Sequence, residues 1–348
     1  MAIYHCSFNP ISRRSGRSAV AAAAYRAAET LLCERDGLTH DFKNRTGVLH
    51  AEIVLPAGSQ SEWAKDRSRL WNAAEFAEKR RDARVANEIE VALPHELSHA
   101  ERFVLVREFA QSLADRYGVA VDFALHAPQG ASDVRNHHAH ILLTTRKVEA
   151  NGLGEKSALE MRASTAKALG IPTSPEQIRQ IRLAWEEHAN RHLALAGLDI
   201  RIDHRSHRKR GLEISPTEHV GVAATELQRR GMATERVRLD PKEAAKNAEK
   251  IRGHPEQVLE IVTSEKSVFE RKDVERVLRR SVALEEVDRL AATVMGSSAL
   301  ICVQAERRDA SGRVISPEKY STCEIVSIEA GMAERAVAVG RPSCLSEG

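Results

Sequence analysis

Three histidines in this chain are spaced to share a metal ion. His138 and His140 sit two apart in the run His138-Ala139-His140-Ile141-Leu142-Leu143, whose aliphatic tail and lack of helical period read as a β-strand. Residues two apart in a strand point to the same face, so both rings project together. His126 closes a second strand, Val119 to His126, and the connection carrying Pro128, Gln129, Gly130 and Asn136 lets the two runs pair antiparallel. Neutral imidazoles converging on one spot, with coordination positions left open, make a centre able to act on a substrate. Taken singly, a histidine such as His126 is more often an ordinary core or surface residue than a ligand. The elements around them decide.

Alternation recurs in five segments: Ala2 to Phe8, Val48 to Leu55, Asn87 to Leu93, Val119 to His126 and His138 to Thr145. Each has one apolar face for helices to cover. The other face collects His5, His50, Glu52, Glu88, Glu90, Asp122, His126, His138 and His140. A solvated sheet face normally carries lysine, threonine, serine and glutamate without preference. This inventory instead fits a metal site with supporting carboxylates; the plain alternative is that the carboxylates keep a strand soluble.

Helices punctuate these strands. Ser98 and Glu101 form a capping box ahead of Phe103, Val106, Phe109, Ala110 and Leu113, with Gly118 placed to end the helix. Ser174-Pro175 opens another, carrying Ile178, Ile181, Trp185, Ala189 and Leu193 inward until Gly197. Residues 61 to 86 also read as helical. One helix differs: after a Ser18 cap, every position before Tyr25 except Val20 is alanine. Alanine favours helix and fills little volume, so this segment can lie close to a neighbouring backbone while presenting one large polar side chain. Arg13, Arg14 and Arg17 precede Tyr25 and Arg26 follows it. Either Tyr25 anchors the helix and the arginines are a solvated loop, or the group meets a substrate.

A tyrosine hydroxyl brought to a metal held by three histidines has a specific use. The ion withdraws charge from a phosphodiester oxygen, the phenolate attacks phosphorus, and a 5′-phosphotyrosine forms with a free 3′-hydroxyl. Phenol, with a pKa near 10, needs a base or the field of the metal at neutral pH. Glu88 or Glu90 could supply the base. Parity puts both on the histidine face and does not choose between them.

The start Met1-Ala-Ile-Tyr-His, the alanine-rich helix with Tyr25, the strand Glu88-Ile-Glu-Val-Ala-Leu-Pro94, Leu125-His126-Ala127, His137-His138-Ala-His140-Ile-Leu-Leu and Arg201-Ile-Asp-His-Arg-Ser206 occur in this order. Together they resemble MobA/MobL-type conjugative relaxases, from residue 1 to about 240. The resemblance implies a five-stranded antiparallel sheet with helices on one face, an α+β fold shared by nucleases with two histidines flanking a hydrophobic residue. It further implies Tyr25 as the nicking nucleophile, His126, His138 and His140 as ligands of Mg²⁺ or Mn²⁺, and one strand of a plasmid transfer origin as substrate. Accessory relaxosome proteins and a coupling protein follow as partners. Two points depart from the pattern. His137 stands where small family members tend to have a residue such as proline, though parity turns it away from the ligands. Three imidazoles also suit Zn²⁺.

Composition bounds the rest. The 348 residues carry a net charge of +3, too little to establish a nucleic-acid partner, with 52 Lys and Arg available for local basic surfaces. Arg201 to Arg210 holds five of these, including Arg205, Arg208, Lys209 and Arg210, and reads as a phosphate track or a solvated loop. Sparse aromatics argue against an extensive base-stacking platform. The five scattered cysteines indicate neither a disulfide framework nor a thiolate site. No apolar run approaches a membrane span and no signal-peptide layout is present, which points to the cytoplasm.

The expected organisation is a relaxase domain over 1–240, a charged helical linker over 241–252, a small helical, winged-helix-like module over 253–329, and a disordered tail over 330–348. In large TraA-type relaxases a similar segment leads into a helicase. No Gly-x-x-x-x-Gly-Lys-Ser/Thr loop occurs here, so ATP-driven unwinding is not expected. A natural short form, a truncated gene and an excised fragment all fit. Two other functions compete with nicking and rejoining through Tyr25: a rolling-circle initiator or transposase with the same metal site, and a catalytically silent DNA-binding module.

Overall fold

The alternating runs over 119–126 and 138–149 are adjacent antiparallel strands at the middle of a sheet, as seen in a computed structural model describing residues 4–128, 135–205, 212, 214, 241–328 and 330. The chain forms two compact units, residues 1–198 and 199–348. In the first, the order is β1 (Cys6–Ser12), α1 (Ala19–Ala27), β2 (Thr30–Cys33), β3 (Leu38–Asp41), β4 (Val48–Val54), α2 (Arg67–Ala77), β5 (Arg84–Ala92) and α3 (His99–Tyr117). It continues with β6 (Val119–His126), β7 (His138–Glu149), β8 (Gly152–Lys156), α4 (Ala163–Ala168) and α5 (Ser174–Leu195). The five-stranded antiparallel sheet runs β1-β5-β7-β6-β4, with β8 folded back on β7 and β2–β3 a separate hairpin.

The helices divide between the two faces rather than keeping to one. On the apolar face α3 sets Phe103 against Phe123, and its Phe109 packs on Trp185 of α5 at 5.1 Å between ring centres. Ser98 and Glu101 close the expected capping box of α3, and Gly118 ends it in the left-handed conformation. The α5 cap is Thr173, one residue before the expected serine. On the opposite face Ala22, Ala23 and Ala24 of α1 join Leu70, Trp71 and Ala74 of α2 over Ala86, Ala120 and Leu142. The expected long helix over 61–86 ends at Ala77, because Arg84 already begins β5.

Two strand expectations shift. β1 begins at Cys6 and extends to Ser12, later than Ala2 to Phe8. As an edge strand it tolerates Pro10, which has no N–H to donate. More consequential is a bulge in β4. Val48 pairs with His126, but the next paired residue, His50, stands opposite Leu125. One extra residue therefore turns His50 and Glu52 to the apolar face, where His50 meets Phe103 at 4.7 Å and Glu52 accepts from Arg107. Neither belongs to the histidine face.

The second unit holds α6 (Pro241–Gly253), α7 (Glu256–Glu265), α8 (Arg271–Ser281), α9 (Val287–Met295), β9 (Leu300–Gln304), β10 (Arg307–Arg308), β11 (Val314–Ser316) and β12 (Lys319–Thr322). β9 pairs β12, β10 pairs β11, and Phe269 bridges Tyr320. The segment expected as a linker is α6, and its Ala248 and Ile251 join Val262, Phe269, Leu278 and Leu290 in one core, so it is part of the unit. The expected tail lies almost wholly outside the described residues. No helix among those described is long and apolar enough to cross a membrane.

Candidate active site

Continuous pairing of β7 with β5 and, from Val121 to His126, with β6 brings the predicted ligands together. His126 stands opposite His138, and His140 lies between Ala124 on one side and Glu90 on the other. Ring centres of His126, His138 and His140 are 4.9 to 5.3 Å apart, and one nitrogen from each falls within 4.8 Å of the others. His137 is not in this group.

Each ring has its tautomer set by a partner that can only accept. His126 Nε2 donates to the Arg26 carbonyl at 2.9 Å, His138 Nδ1 to the Asn136 carbonyl at 3.0 Å, and His140 Nδ1 to Glu88 Oε1 at 2.9 Å. That leaves Nδ1 of His126 and Nε2 of His138 and His140 as the three lone pairs, the orientation a metal-binding histidine takes from its outer partner. Burial pushes the His126 imidazole down to about 3 and also lowers His138, so both are neutral at physiological pH. Three imidazoles, each anchored behind, fit a divalent cation.

The alanine run explains how a main-chain carbonyl reaches His126. Ala19, Ala22, Ala23 and Ala24 are all buried, letting α1 settle against the sheet until its last turn meets the histidines. Tyr25, in that turn, is 45% exposed. Phe42 meets its ring edge-on at 5.2 Å, and the Arg45 guanidinium lies 3.7 Å from its centre. Phe42 and Arg45 were not singled out in the sequence. They follow the β2–β3 hairpin, outside any periodic run that could have placed them.

The two candidate carboxylates separate. Glu88 is buried and accepts from Arg26 Nε at 2.6 Å as well as from His140, with Arg17 Nη2 at 3.3 Å. Burial, the largest single influence, would raise this carboxyl; the His140 bond and the Arg26 charge outweigh it and bring Glu88 down to about 2. A carboxylate so held is an orienting group and a poor proton acceptor. Glu90 is half-buried and close enough to His138 for its charge to raise that imidazole against the lowering by burial. Asp122, on the same face, is taken up by Arg67 at 2.8 Å and by Trp71 Nε1 at 2.8 Å, and so ties α2 to the sheet.

The arginines expected on phosphate also divide. Arg13 binds the buried Glu75 at 2.9 Å and the carbonyl oxygens of Glu78 and Arg80. Glu75 in turn caps α1 through Ala19 N at 2.8 Å. Arg26 is spent on Glu88 and the Ala22 carbonyl. Arg13 and Arg26 are internal struts, because each guanidinium meets its needs within the protein. Arg14 and Arg17 are exposed, Arg17 while paired with Glu88. Arg205 is exposed and pairs with Asp203, while Arg208, Lys209 and Arg210 lie outside the described residues.

Residues 17–230, which include Tyr25, Glu88, Glu90 and all three histidines, match the model of the MobA/MobL family. The chain belongs to the MobA/MobL family. A mobilization protein MobL of Acidithiobacillus ferridurans is 43% identical over 66% of this chain and 65% of its own length. A probable conjugal transfer protein TraA of Sinorhizobium fredii is 36% identical over 99% of this chain but only 33% of its own length. This MobA/MobL chain thus spans about a third of that TraA relative. A solved structure, described as the molecular basis of vancomycin resistance transfer in Staphylococcus aureus, is 29% identical with a TM-score of 0.51, covering 59% of this chain and 100% of that one.

Proposed function

We propose that this chain is a conjugative relaxase that nicks and rejoins one strand of a plasmid transfer origin through Tyr25. The observation that carries the reading is the bond from His126 Nε2 to the carbonyl of Arg26, the residue after Tyr25. It ties the helix that presents an exposed phenol to a cluster of three imidazoles. The bond satisfies a buried imidazole, and it also sets the helical turn that carries the phenol beside the cluster, as transesterification requires.

His126 Nδ1, His138 Nε2 and His140 Nε2 would hold Mg²⁺ or Mn²⁺, and nitrogen donors favour Mn²⁺ of the two. Bound there, the cation supplies charge to the phosphate oxygens. Tyr25 Oη attacks phosphorus as the bond to the 3′ oxygen breaks, giving a 5′-phosphotyrosine and a 3′ oxyanion that takes a proton from water to become the free 3′-hydroxyl. Glu90 takes the phenol proton, since Glu88 is held as an anion by Arg26 and His140. Rejoining runs the same exchange backwards. Arg14, Arg17 and the basic segment through Arg210 contact the DNA backbone, giving affinity without base choice. The remaining relaxosome proteins and the coupling protein would assemble around this unit in the cytoplasm.

The test incubates purified protein with single-stranded transfer-origin oligonucleotides and Mn²⁺ or Mg²⁺ and resolves covalent adducts on denaturing gels. Wild type is expected to form an adduct and Tyr25→Phe none. No wild-type adduct across origin sequences removes the enzymatic reading in favour of a silent DNA-binding module. An adduct that survives Tyr25→Phe moves the nucleophile elsewhere.

A further inference from the structure

An exposed tyrosine on the last turn of a helix should sample several ring positions. Tyr25 is restrained twice by one side chain. Arg45 Nη1 donates to the Tyr25 carbonyl at 2.6 Å, and the same guanidinium stacks 3.7 Å from the ring centre. Phe42 meets the ring at 88°, from the same loop that leads into β4. No carboxylate pairs with Arg45 among the described residues, so its planar group is committed to Tyr25. Its charge also reaches His126 and His138, which places the clamp near the proposed metal ligands.

We propose that Arg45 is a positioning residue that holds the Tyr25 ring and main chain in the attacking arrangement. The inference rests on the relaxase reading. A planar cation stacked on an aromatic face restrains the ring without covering its hydroxyl. The bond to the carbonyl keeps the helix end and the ring moving together. Loss of such a restraint acts on the chemical step, because misplacing a nucleophile by about 1 Å costs on the order of 10²-fold in rate.

Arg45→Met keeps much of the bulk and removes both restraints. Single-turnover adduct formation at saturating origin oligonucleotide is expected to fall on the order of 10²-fold, while the dissociation constant for uncleaved oligonucleotide changes far less. Guanidinium ion added to Arg45→Ala is expected to restore part of the rate and to leave wild type unchanged. With four tyrosines in the chain, ring-labelled NMR resolves Tyr25 by its absence in Tyr25→Phe. Its ring signal is expected to move in Arg45→Met while those of the other three stay. An Arg45→Met rate within about twofold of wild type, well short of the 10²-fold expected of a misplaced nucleophile, overturns the proposal. So does a rate loss matched by lost affinity, or an unmoved Tyr25 signal. A wild type that forms no adduct defeats the relaxase reading, and the NMR signal still decides the clamp.

Discussion

Replacing Glu88 by Gln separates an orienting carboxylate from a proton acceptor. Gln keeps the shape and an acceptor oxygen but not the charge, leaving the buried Arg26 guanidinium with neutral partners only, that amide oxygen and the Ala22 carbonyl. Breaking a buried pair from one side costs about 3–5 kcal/mol. Arg17, whose side chain is 41% exposed, adds less than about 1 kcal/mol. The titration of Glu88 gives a second figure. Its folded value of about 2 against an ordinary 4.5 corresponds to about 3 kcal/mol of stability at neutral pH. The two routes agree.

Their pH dependence is also determined. A carboxyl depressed on folding stabilises the protein above its unfolded value near 4.5, and that contribution fades as the pH falls towards about 2. The wild-type advantage over Glu88→Gln is therefore about 3 kcal/mol at pH 7 and less than half of that by pH 3. All three tryptophans, Trp63, Trp71 and Trp185, lie in the first unit, so their fluorescence during urea unfolding reports on that unit alone. With a urea dependence of about 1–3 kcal/mol per molar, the midpoint should drop by about 1–3 M at pH 7. Manganese affinity, measured calorimetrically, should fall about 10- to 100-fold because His140 loses its anchor. A loss under about 1 kcal/mol at pH 7, or one that does not shrink on acidification, would refute the assignment of Glu88.

Four further substitutions probe neighbouring parts of the argument. His138→Ala should abolish metal-dependent adduct formation while most DNA affinity, read by fluorescence anisotropy, survives; undiminished nicking would sink the three-ligand set. Asp122→Asn should cost about 2–4 kcal/mol in the same tryptophan-monitored unfolding, because Arg67 and Trp71 Nε1 both lean on that carboxylate. Arg13→Ala should destabilise by a similar amount through the exposed need of buried Glu75, yet leave the salt dependence of DNA binding unchanged. Arg14→Ala should do the reverse, lowering the salt slope by about one with stability intact; equal slopes for the two variants would overturn the division between strut and surface cation.

Parity in the sequence placed His126, His138 and His140 together because β5, β7 and β6 pair there without interruption. The same reasoning misplaced His50 and Glu52, since a single bulge after Val48 reverses the face and leaves no signature in residue type. Charge patterning failed differently. Arg13 and Arg26 look like Arg14 in a list of residues, and only the buried Glu75 and Glu88 beneath them turn cations into struts. Glu88 and Glu90 were equivalent by parity, and what distinguishes them is the position of Arg26, which no strand rule supplies.

These failures and successes meet in α1. Its alanines let one helix come close enough to the sheet for the Arg26 carbonyl to set the His126 tautomer and for the Arg26 side chain to hold Glu88, which sets that of His140. The residue before Arg26 is the exposed tyrosine. Two of the three clustered imidazoles are thus oriented by the residue next to the proposed nucleophile. A bulkier side chain at Ala22 or Ala23 would lift the helix, and would disturb the ligand cluster and the position of Tyr25 in the same step.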